Sequence, residues 1–364
     1  MIHTQAIVIG GGPAGLCAAY QLASHGVHTI LFERNTMLGG QLIKQTHKFF
    51  GSEKQYAKTR GFDIAKKLIT DLEPLQDKLT IHKNATVLGI YPDKVVTVMK
   101  DEQYFKYQAE VILVATGAME KVLAFENNDL PGIYGAGAVQ TLMNVYGVYP
   151  GKKIVMVGSG NIGLIVSYQL MQAGVEVLAV IEAQNTIGGY KVHASKLRRL
   201  GVPILTQKTV MKAMGTEVLE AIQIVSLDEK WNPIPYTEEI IACDALCISV
   251  GLSPMHQLLS MTNIKMKYIP ELGGNVPLAS ETNETSVPGL FVCGDAYGIE
   301  EASSAIVEGY LTGLFAIQKL GLSSSDLHGL IQDYEHQLQN LRSGPFGKKT
   351  RIGMDKIKEA RNAF

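Results

Sequence analysis

The sequence predicts an α/β fold assembled from two copies of one unit. Three observations predict it: a strand, glycine turn, helix, strand pattern closing on an acid at residues 6–33, the same pattern again at residues 153–182, and 37 glycines among 364 residues. Glycine at about a tenth of the chain exceeds the roughly 7% of average proteins. No short period and only 13 prolines accompany it, so the glycines mark specific turns rather than a collagen-like or low-complexity chain.

In the first copy the apolar run Ala6-Ile7-Val8-Ile9 leads into Gly10-Gly11-Gly12-Pro13-Ala14-Gly15, and residues 16–25 place Leu16, Ala19, Tyr20 and Ala23 at helical spacing. A second strand, residues 29–32, ends in Glu33, 23 residues after Gly10. This is the fingerprint of a Rossmann-like dinucleotide site. The first glycine permits a tight turn, the second admits a pyrophosphate, the third packs helix on strand, and the acid holds a ribose hydroxyl. In the second copy, residues 153–157 form the strand, Gly158-Ser159-Gly160-Asn161-Ile162-Gly163 the turn, residues 164–172 the helix and residues 175–181 the second strand, closing on Glu182, 24 residues after Gly158. One glycine-rich turn is weak evidence; two full units with matching acids are strong.

Length implies two domains, because a single core stops growing beyond ~250 to 300 residues. Lys plus Arg number 33 against 34 Asp plus Glu, a formal net charge of -1, which argues against an electrostatic nucleic-acid partner. No apolar run approaches the ~18 residues of a membrane span, and residues 1–5 show no basic region or cleavage site, so a cytoplasmic protein without a leader is expected. No metal-ligand spacing or Ser-His-Asp arrangement stands out. The four cysteines, Cys17, Cys243, Cys247 and Cys293, do not form a disulfide framework. Cys243 and Cys247 fall in residues 240–250, read as one strand, where i and i+4 lie about 13 Å apart at ~3.3 Å per residue, beyond disulfide or shared-metal reach. Cys17, in the first turn of a buried helix, and Cys293, in a buried strand, are read with them as core cysteines.

Two further buried-strand patterns end in turns: Val111-Ile112-Leu113-Val114-Ala115-Thr116-Gly117 and Leu290-Phe291-Val292-Cys293-Gly294-Asp295. Together with Gly10 to Gly15, Glu33, Gly39-Gly40-Gln41 and the second glycine turn at Gly158, these resemble the thioredoxin-reductase-like branch of the two-dinucleotide-binding flavoproteins over about residues 5–320. The resemblance implies two three-layer ββα domains without a C-terminal dimerisation domain. An FAD domain would be split between residues 1–120 and 248–328, with a nicotinamide-nucleotide domain inserted at residues 121–247. Residues 329–364 are read as one helix, with Leu330, Tyr334, Leu338 and Leu341 on a face, a break at Gly344-Pro345, and a basic end that is solvated or partner-facing rather than a membrane anchor.

For FAD the resemblance points to Gly10, Gly12, Pro13, Ala14, Gly15, Glu33, Arg34, Gly40, Gln41, Thr46, Val87, Ala115, Thr116, Gly117, Gly294, Asp295, Glu301 and Ala302. For the nicotinamide nucleotide it points to Gly158, Gly160, Asn161, Ile162, Gly163, Glu182 and Gly251. No catalytic residue is assigned with certainty. Lys44 and His47 are the flavin-side candidates, in the run Lys44-Gln45-Thr46-His47-Lys48-Phe49-Phe50-Gly51. His47 is read as a candidate proton relay; the competing reading is a surface loop with Phe49 and Phe50 as local core. Asp295 is expected to take a ribityl or phosphate-side hydroxyl. Glu301 stands where the thioredoxin reductases usually carry a neutral Gln near the flavin pyrimidine, unless it simply faces solvent. Glu182 favours the free 2′-hydroxyl of NAD, since a 2′-phosphate would be repelled and no Arg follows until Arg198. NADP, or a nucleotide bound without hydride transfer, remain the alternatives.

The Cys-x-x-Cys pair that opens the inserted domain of thioredoxin reductases is missing, with no cysteine between Cys17 and Cys243, so an internal redox disulfide is excluded. The stretch Phe125-Glu126-Asn127-Asn128-Asp129-Leu130-Pro131-Gly132, with residues 140–148, looks like the flavoprotein α-type subunits of heteromeric dehydrogenases: sarcosine oxidase, opine oxidase, hydrogen cyanide synthase, dye-linked proline dehydrogenase and the partners of anaerobic glycerol-3-phosphate dehydrogenase. This resemblance implies an oligomer. A partner flavoprotein subunit would oxidise a small amine, amino acid or hydroxy compound, and a further chain would carry the iron-sulfur or FMN relay, since no cysteine follows Cys293. The rival readings are a self-sufficient NAD(P)H reductase of ferredoxin or a quinone, and a nucleotide-binding scaffold without turnover.

Overall fold

The computed structural model describes residues 1–49, 52–345 and 347–362. The chain forms two compact units, one from Met1–Met119 with Ser253–Phe364 and the other from Glu120–Leu252.

The first unit is built on a sheet with strand order Leu79–His82, Thr29–Phe32, Ile2–Ile9, Gln103–Val114, Val95–Lys100 and Ala85–Ile90. The first four run parallel, Val95–Lys100 pairs antiparallel with Gln103–Val114, and Ala85–Ile90 pairs antiparallel with Val95–Lys100. Gln103–Val114 is long enough to serve two partners beside Ile2–Ile9. Residues 103–108 pair with Val95–Lys100, and residues 112–114 pair in parallel with Leu290–Val292. The period-2 geometry of strands sends Ala6, Val8, Val111 and Leu113 into the core beneath the helices, and Ile7, Ile9, Ile112 and Val114 into the core on the other face.

Helices Pro13–Ser24 and Ala302–Lys319 cross on the first of these faces at unusually close range. A Cβ on Gly309 would strike the Ala14 carbonyl, and one on Gly313 would lie 2.9 Å from the Ala18 carbonyl oxygen. The crossing therefore requires glycine at positions 309 and 313, which lie against the Ala14 and Ala18 backbone. It also sets Ala14, Ala115, Cys293 and Ala305 together in a small apolar cluster at the carboxyl end of the strands.

The second unit has a five-stranded parallel sheet ordered Ile204–Thr206, Glu176–Glu182, Lys153–Val157, Ala245–Ile248, Ile133–Gly135. Helices Ala136–Tyr146, Asn161–Gln172 and Lys191–Arg199 cover one face through Ile154, Met156, Val180, Ala245 and Cys247. A three-stranded antiparallel sheet, Lys208–Met214, Ala221–Ser226 and Glu239–Ala242, covers the other through Val155, Val157, Ile181 and Leu246. The layers are thus antiparallel sheet, parallel sheet and helices.

Three expectations are corrected. Residues 240–250 are not one strand: Glu239–Ala242 belongs to the antiparallel sheet and Ala245–Ile248 to the parallel one. The chain turns at Asp244, whose carboxylate accepts the Lys152 and Lys153 N–H groups at 2.8 to 3.0 Å. Cys243 and Cys247 consequently enter the cores on opposite faces of the parallel sheet. Cys17 lies in the second turn of its helix, which begins at Pro13 because proline's fixed φ suits the first helical position.

The basic end is not a solvated tail. Leu327–Arg342 packs on the crossing helices through Leu327, Ile331 and Leu338, with the Tyr334 ring stacked on Tyr310 at 5.1 Å. After the turn at Gly344 a second helix, Lys348–Asn362, buries Gly353, Ile357 and Ala360 against the opposite core, while Lys356 pairs with Glu271 at 2.5 Å. Both helices belong to the first unit. The apolar positions in the last helix are few and two are small, so its charge dominated the sequence pattern.

The helix crossing gives a paired prediction. Gly309→Ala forces overpacking and should lower stability by about 1 to 3 kcal/mol. Gly329→Ala, where a Cβ meets nothing within 4 Å, should raise it by roughly 0.5 to 1 kcal/mol. Urea unfolding of the two variants beside the parent checks both.

Candidate functional site

The two glycine turns are built alike, atom by atom. In the first unit Gly10 has φ 109°, and a Cβ there would strike the Ala115 carbonyl; a Cβ on Gly15 would strike the Gly10 carbonyl. In the second, Gly158 has φ 100° against the Ser249 carbonyl, and Gly163 stands against the Gly158 carbonyl. The first and third glycines are thus required by the fold. The second ones are not. A Cβ on Gly12 would have Gly40 Cα as its nearest neighbour at 3.9 Å, and one on Gly160 would meet nothing within 4 Å. The space in front of the middle glycines is left open by the protein, at the position where the dinucleotide fingerprint requires close approach of a ligand.

Each turn opens onto a helix N-terminus without a side-chain cap or an acid in the first turn, at Gly12 for Pro13–Ser24 and at Gly160 for Asn161–Gln172. The N–H groups and the positive end of the helix dipole therefore face the same open space, a setting that favours an anion.

The acids lock the turns. Glu33 Oε2 accepts the Gly11 N–H at 2.8 Å, while Oε1 takes the Asn35 N–H and side-chain amide, both at 2.8 Å. Glu182 Oε2 accepts the Ser159 N–H at 2.9 Å and hydroxyl at 2.6 Å, and Oε1 takes the Gln184 N–H at 2.9 Å. Each carboxylate is held at its strand end by charge-assisted hydrogen bonds from its own turn.

A second glycine pair closes over each turn. Gly39 donates its N–H to the Gly11 carbonyl at 2.8 Å, and a Cβ on Gly40 would lie 2.7 Å from Gly12 Cα. Gly189 likewise donates to the Ser159 carbonyl at 2.8 Å; Gly188 donates to Ser159 Oγ at 3.1 Å and Tyr190 to Asn161 Oδ1 at 2.9 Å. Sequence reasoning found Gly39-Gly40 and missed Gly188-Gly189. The signal was there: both pairs begin six residues after the acid, in Glu33-Arg34-Asn35-Thr36-Met37-Leu38-Gly39-Gly40 and Glu182-Ala183-Gln184-Asn185-Thr186-Ile187-Gly188-Gly189.

The remaining candidates divide. Ala115 and Gly294 join the first turn, Gly294 through Ala14, whose Cβ would lie 2.9 Å from a Cβ on that glycine. Thr116 Oγ1 donates to the Met255 carbonyl at 2.7 Å, and Gly117 (φ 75°) faces open space, as Gly251 (φ 123°) does except for Lys121 Cδ at 3.6 Å. Arg34, Gln41, Ile162 and Glu301 are exposed; Glu301 is the N-cap residue of the helix beginning at Ala302. Val87 is half-buried against the core on the far face of the sheet. Lys44 ends the short helix Gly40–Lys44, the Thr46 carbonyl accepts Arg60 Nη1 at 2.9 Å, and the His47 ring stacks on Phe49 with centroids 6.0 Å apart. Phe49 is buried in the main core, as the local-core reading of that loop expects, while Phe50 and Gly51 lie outside the described residues.

Asp295 begins the turn after Leu290–Val292. Burial pushes its carboxyl up to about 7, against the Glu300 N–H donated to it at 3.4 Å and with Glu300 and Glu301 raising it further. All four cysteines are free and buried, and burial raises each thiol, Cys243 to about 12, so none is a thiolate near neutral pH. Among the described residues no His, Cys, Asp and Glu group is arranged to hold a metal, and no helix is long and apolar enough to cross a membrane.

An α/β chain with two such half-sites is of the class that binds two dinucleotides. Residues 4–309 match the pyridine nucleotide-disulphide oxidoreductase family, and the chain belongs to it; that family implies FAD and a nicotinamide nucleotide. Hydrogen cyanide synthase subunit HcnB of Pseudomonas protegens is 25% identical over 354 residues, 92% of this chain and 75% of that subunit. Sarcosine oxidase subunit alpha of a Corynebacterium species is 28% identical over 339 residues, 88% of this chain and 33% of that subunit. The chain therefore spans only a third of that longer relative. In fold it is similar to L-proline dehydrogenase from P. horikoshii, with a TM-score of 0.73 at 23% identity over 93% of this chain and 59% of that one. It is also similar to T. acidophilum thioredoxin reductase, with a TM-score of 0.72 at 18% identity over 88% of this chain and all of that one.

Two predictions follow from this geometry. Gly12→Ala and Gly160→Ala should leave the unfolding midpoint of the ligand-free protein almost unchanged. Each should weaken nucleotide binding in its own unit by at least about tenfold, or ~1.4 kcal/mol, as fluorescence titration with FAD and with NADH would show. For Asp295, a folded value near 7 above an unfolded value of 3.8 means that the native state binds the extra proton between them. The contribution of Asp295 to stability is therefore fully present below about pH 4 and is lost as pH rises through about 7. Asp295→Asn should remove that part of the loss, so its stability relative to the parent, in urea unfolding of flavin-free protein, rises between pH 5 and pH 8.

Proposed function

We propose that the first unit holds FAD, that the second holds NAD(H), and that the chain is an FAD-dependent electron-transfer subunit working with a partner dehydrogenase on a small amine, amino acid or hydroxy compound. The observation that carries this reading is the acid and glycine lock made twice in one chain, with the space before each middle glycine left open. When bound, FAD supplies the redox chemistry that no side chain here offers. The residues supply placement: the Pro13–Ser24 N-terminus faces the pyrophosphate, Glu33 takes the adenosine ribose, and Asp295 stands beside the Gly294 turn for a hydroxyl of the ribityl chain.

In the second unit Glu182 is held by three donors at 2.6 to 2.9 Å, and it would repel a 2′-phosphate placed beside it. That supports NAD(H) over NADP(H). The partner reading is supported by relatives named as subunits of sarcosine oxidase and hydrogen cyanide synthase, and by four buried thiols that leave no redox disulfide to pass electrons on. The two half-sites lying on one chain favour a second reading, a self-sufficient NAD(P)H reductase of a ferredoxin, a quinone or another soluble acceptor.

Anaerobic titration of the yellow protein with NADH and then NADPH, followed at the flavin band near ~450 nm, tests the assignment. NADH should bleach the flavin and NADPH should do so only at much higher concentration. Glu182→Ala should narrow the gap between the two. Persistent yellow with both nucleotides contradicts the hydride-transfer part of the reading, and rapid turnover of a ferredoxin or quinone by the lone chain favours the second reading over the partner complex.

A further inference from the structure

The segment from Gly294 to Glu301 is gripped from behind by the two C-terminal helices. Arg342, in the last turn of Leu327–Arg342, forks between two acids. Its Nη2 meets Glu300 Oε1 at 2.5 Å and Glu308 Oε1 at 2.9 Å, and its Nε donates to Glu300 Oε2 at 3.1 Å. The side chains are 16%, 9% and 5% exposed for Arg342, Glu300 and Glu308, so this is a buried network rather than a surface pair. Glu308 passes the constraint on, since its second oxygen accepts the Gly294 N–H at 2.7 Å, and Glu300 gives its N–H to Asp295.

The last helix reaches the same segment through Leu272, which lies between the two. Leu272 fills the space where a side chain on Gly353 or Gly298 would stand, and its carbonyl accepts the Ile299 N–H at 3.0 Å. Residues 310–362 lie beyond the family match, which ends at residue 309, yet they supply the cation for two acids inside it.

We propose that Arg342 is a positioning residue for FAD and that the C-terminal helix pair is a latch on the flavin-binding turn. The inference rests on the assignment of FAD to the first unit. Removing the guanidinium leaves two buried carboxylates facing each other, which must separate, take up water or bind a proton. The peptide at Gly294 and the Asp295 carboxyl move with them. Burial works against the Arg342 charge, but Glu300 and Glu308 more than offset it, so the latch stays a cation throughout the working pH range.

The test compares Arg342→Met, Arg342→Lys and Leu338→Ala with the parent protein. Leu338→Ala opens a cavity in the same helix without touching the turn, and it lowers the unfolding temperature for reasons of packing alone. Flavin-free proteins are titrated with FAD, following quenching of flavin fluorescence and the shape of the visible band. The proposal expects Arg342→Met to raise the FAD Kd at least tenfold and to return the band to that of free flavin. Arg342→Lys should recover part of the affinity, and Leu338→Ala should bind as the parent does. FAD affinity unchanged in Arg342→Met overturns the latch, as does an equal loss in Leu338→Ala at a matched fall in unfolding temperature. A parent protein that takes up no FAD overturns the assignment of the first unit and the latch with it.

Discussion

The hydrogen bond from a turn N–H to the carboxylate at the end of the next strand, Gly11 to Glu33 and Ser159 to Glu182, is the constraint on which both units depend. It joins the first strand's turn to the second strand's end, so the distance between those strands and the pitch of the helix that connects them are set together. The tight glycines follow: Gly10 and Gly158 pass over the carbonyls of Ala115 and Ser249, each the residue just past the end of the strand at the other side. Once those are fixed, the middle glycines can only face outward, and the helix N–H groups face with them. The open space proposed for each nucleotide is what remains after the fold has used the other two glycines of each turn.

The parts of this arrangement that rest on local pattern were legible in the sequence. Strand, turn, helix and acid declare themselves by hydropathy period and by residue types that only a few backbone conformations accept. Gly188-Gly189 was legible too, but only by laying the second copy on the first, because a glycine pair in a loop carries no periodicity. What could not be read was anything decided by partners far along the chain. Cys243 and Cys247 sit in a run of apolar and β-branched residues that looks like one strand, and it breaks at Asp244 because Lys152 and Lys153 donate to that carboxylate. Residues 348–362 look solvated by charge count, and their burial depends on Gly353 meeting Leu272 some 80 residues earlier.

The same division holds for site residues. Gly10, Gly15, Gly158 and Gly163 take the tight backbone geometry that the motif demands, with the Ala115 and Ser249 carbonyls against the first glycine of each turn. Those proposed from resemblance alone have no such backbone signature: Val87 packs on the opposite core, and Arg34, Gln41 and Glu301 are exposed. Asp295 lies between the two cases. Its place after a buried strand was readable, whereas its high proton affinity comes from burial beside Glu300 and Glu301, a crowding that only the folded turn creates. Arg342 stood on no motif, and its role emerges from two acids that would otherwise be buried without a counter-charge.

The proposed function requires two independent nucleotide sites on one chain. Binding stoichiometry measures that directly. Equilibrium dialysis of the flavin-free protein against FAD and NADH together should find one of each per chain, with neither displacing the other. A total of one nucleotide per chain, or competition between FAD and NADH for a single site, would contradict it.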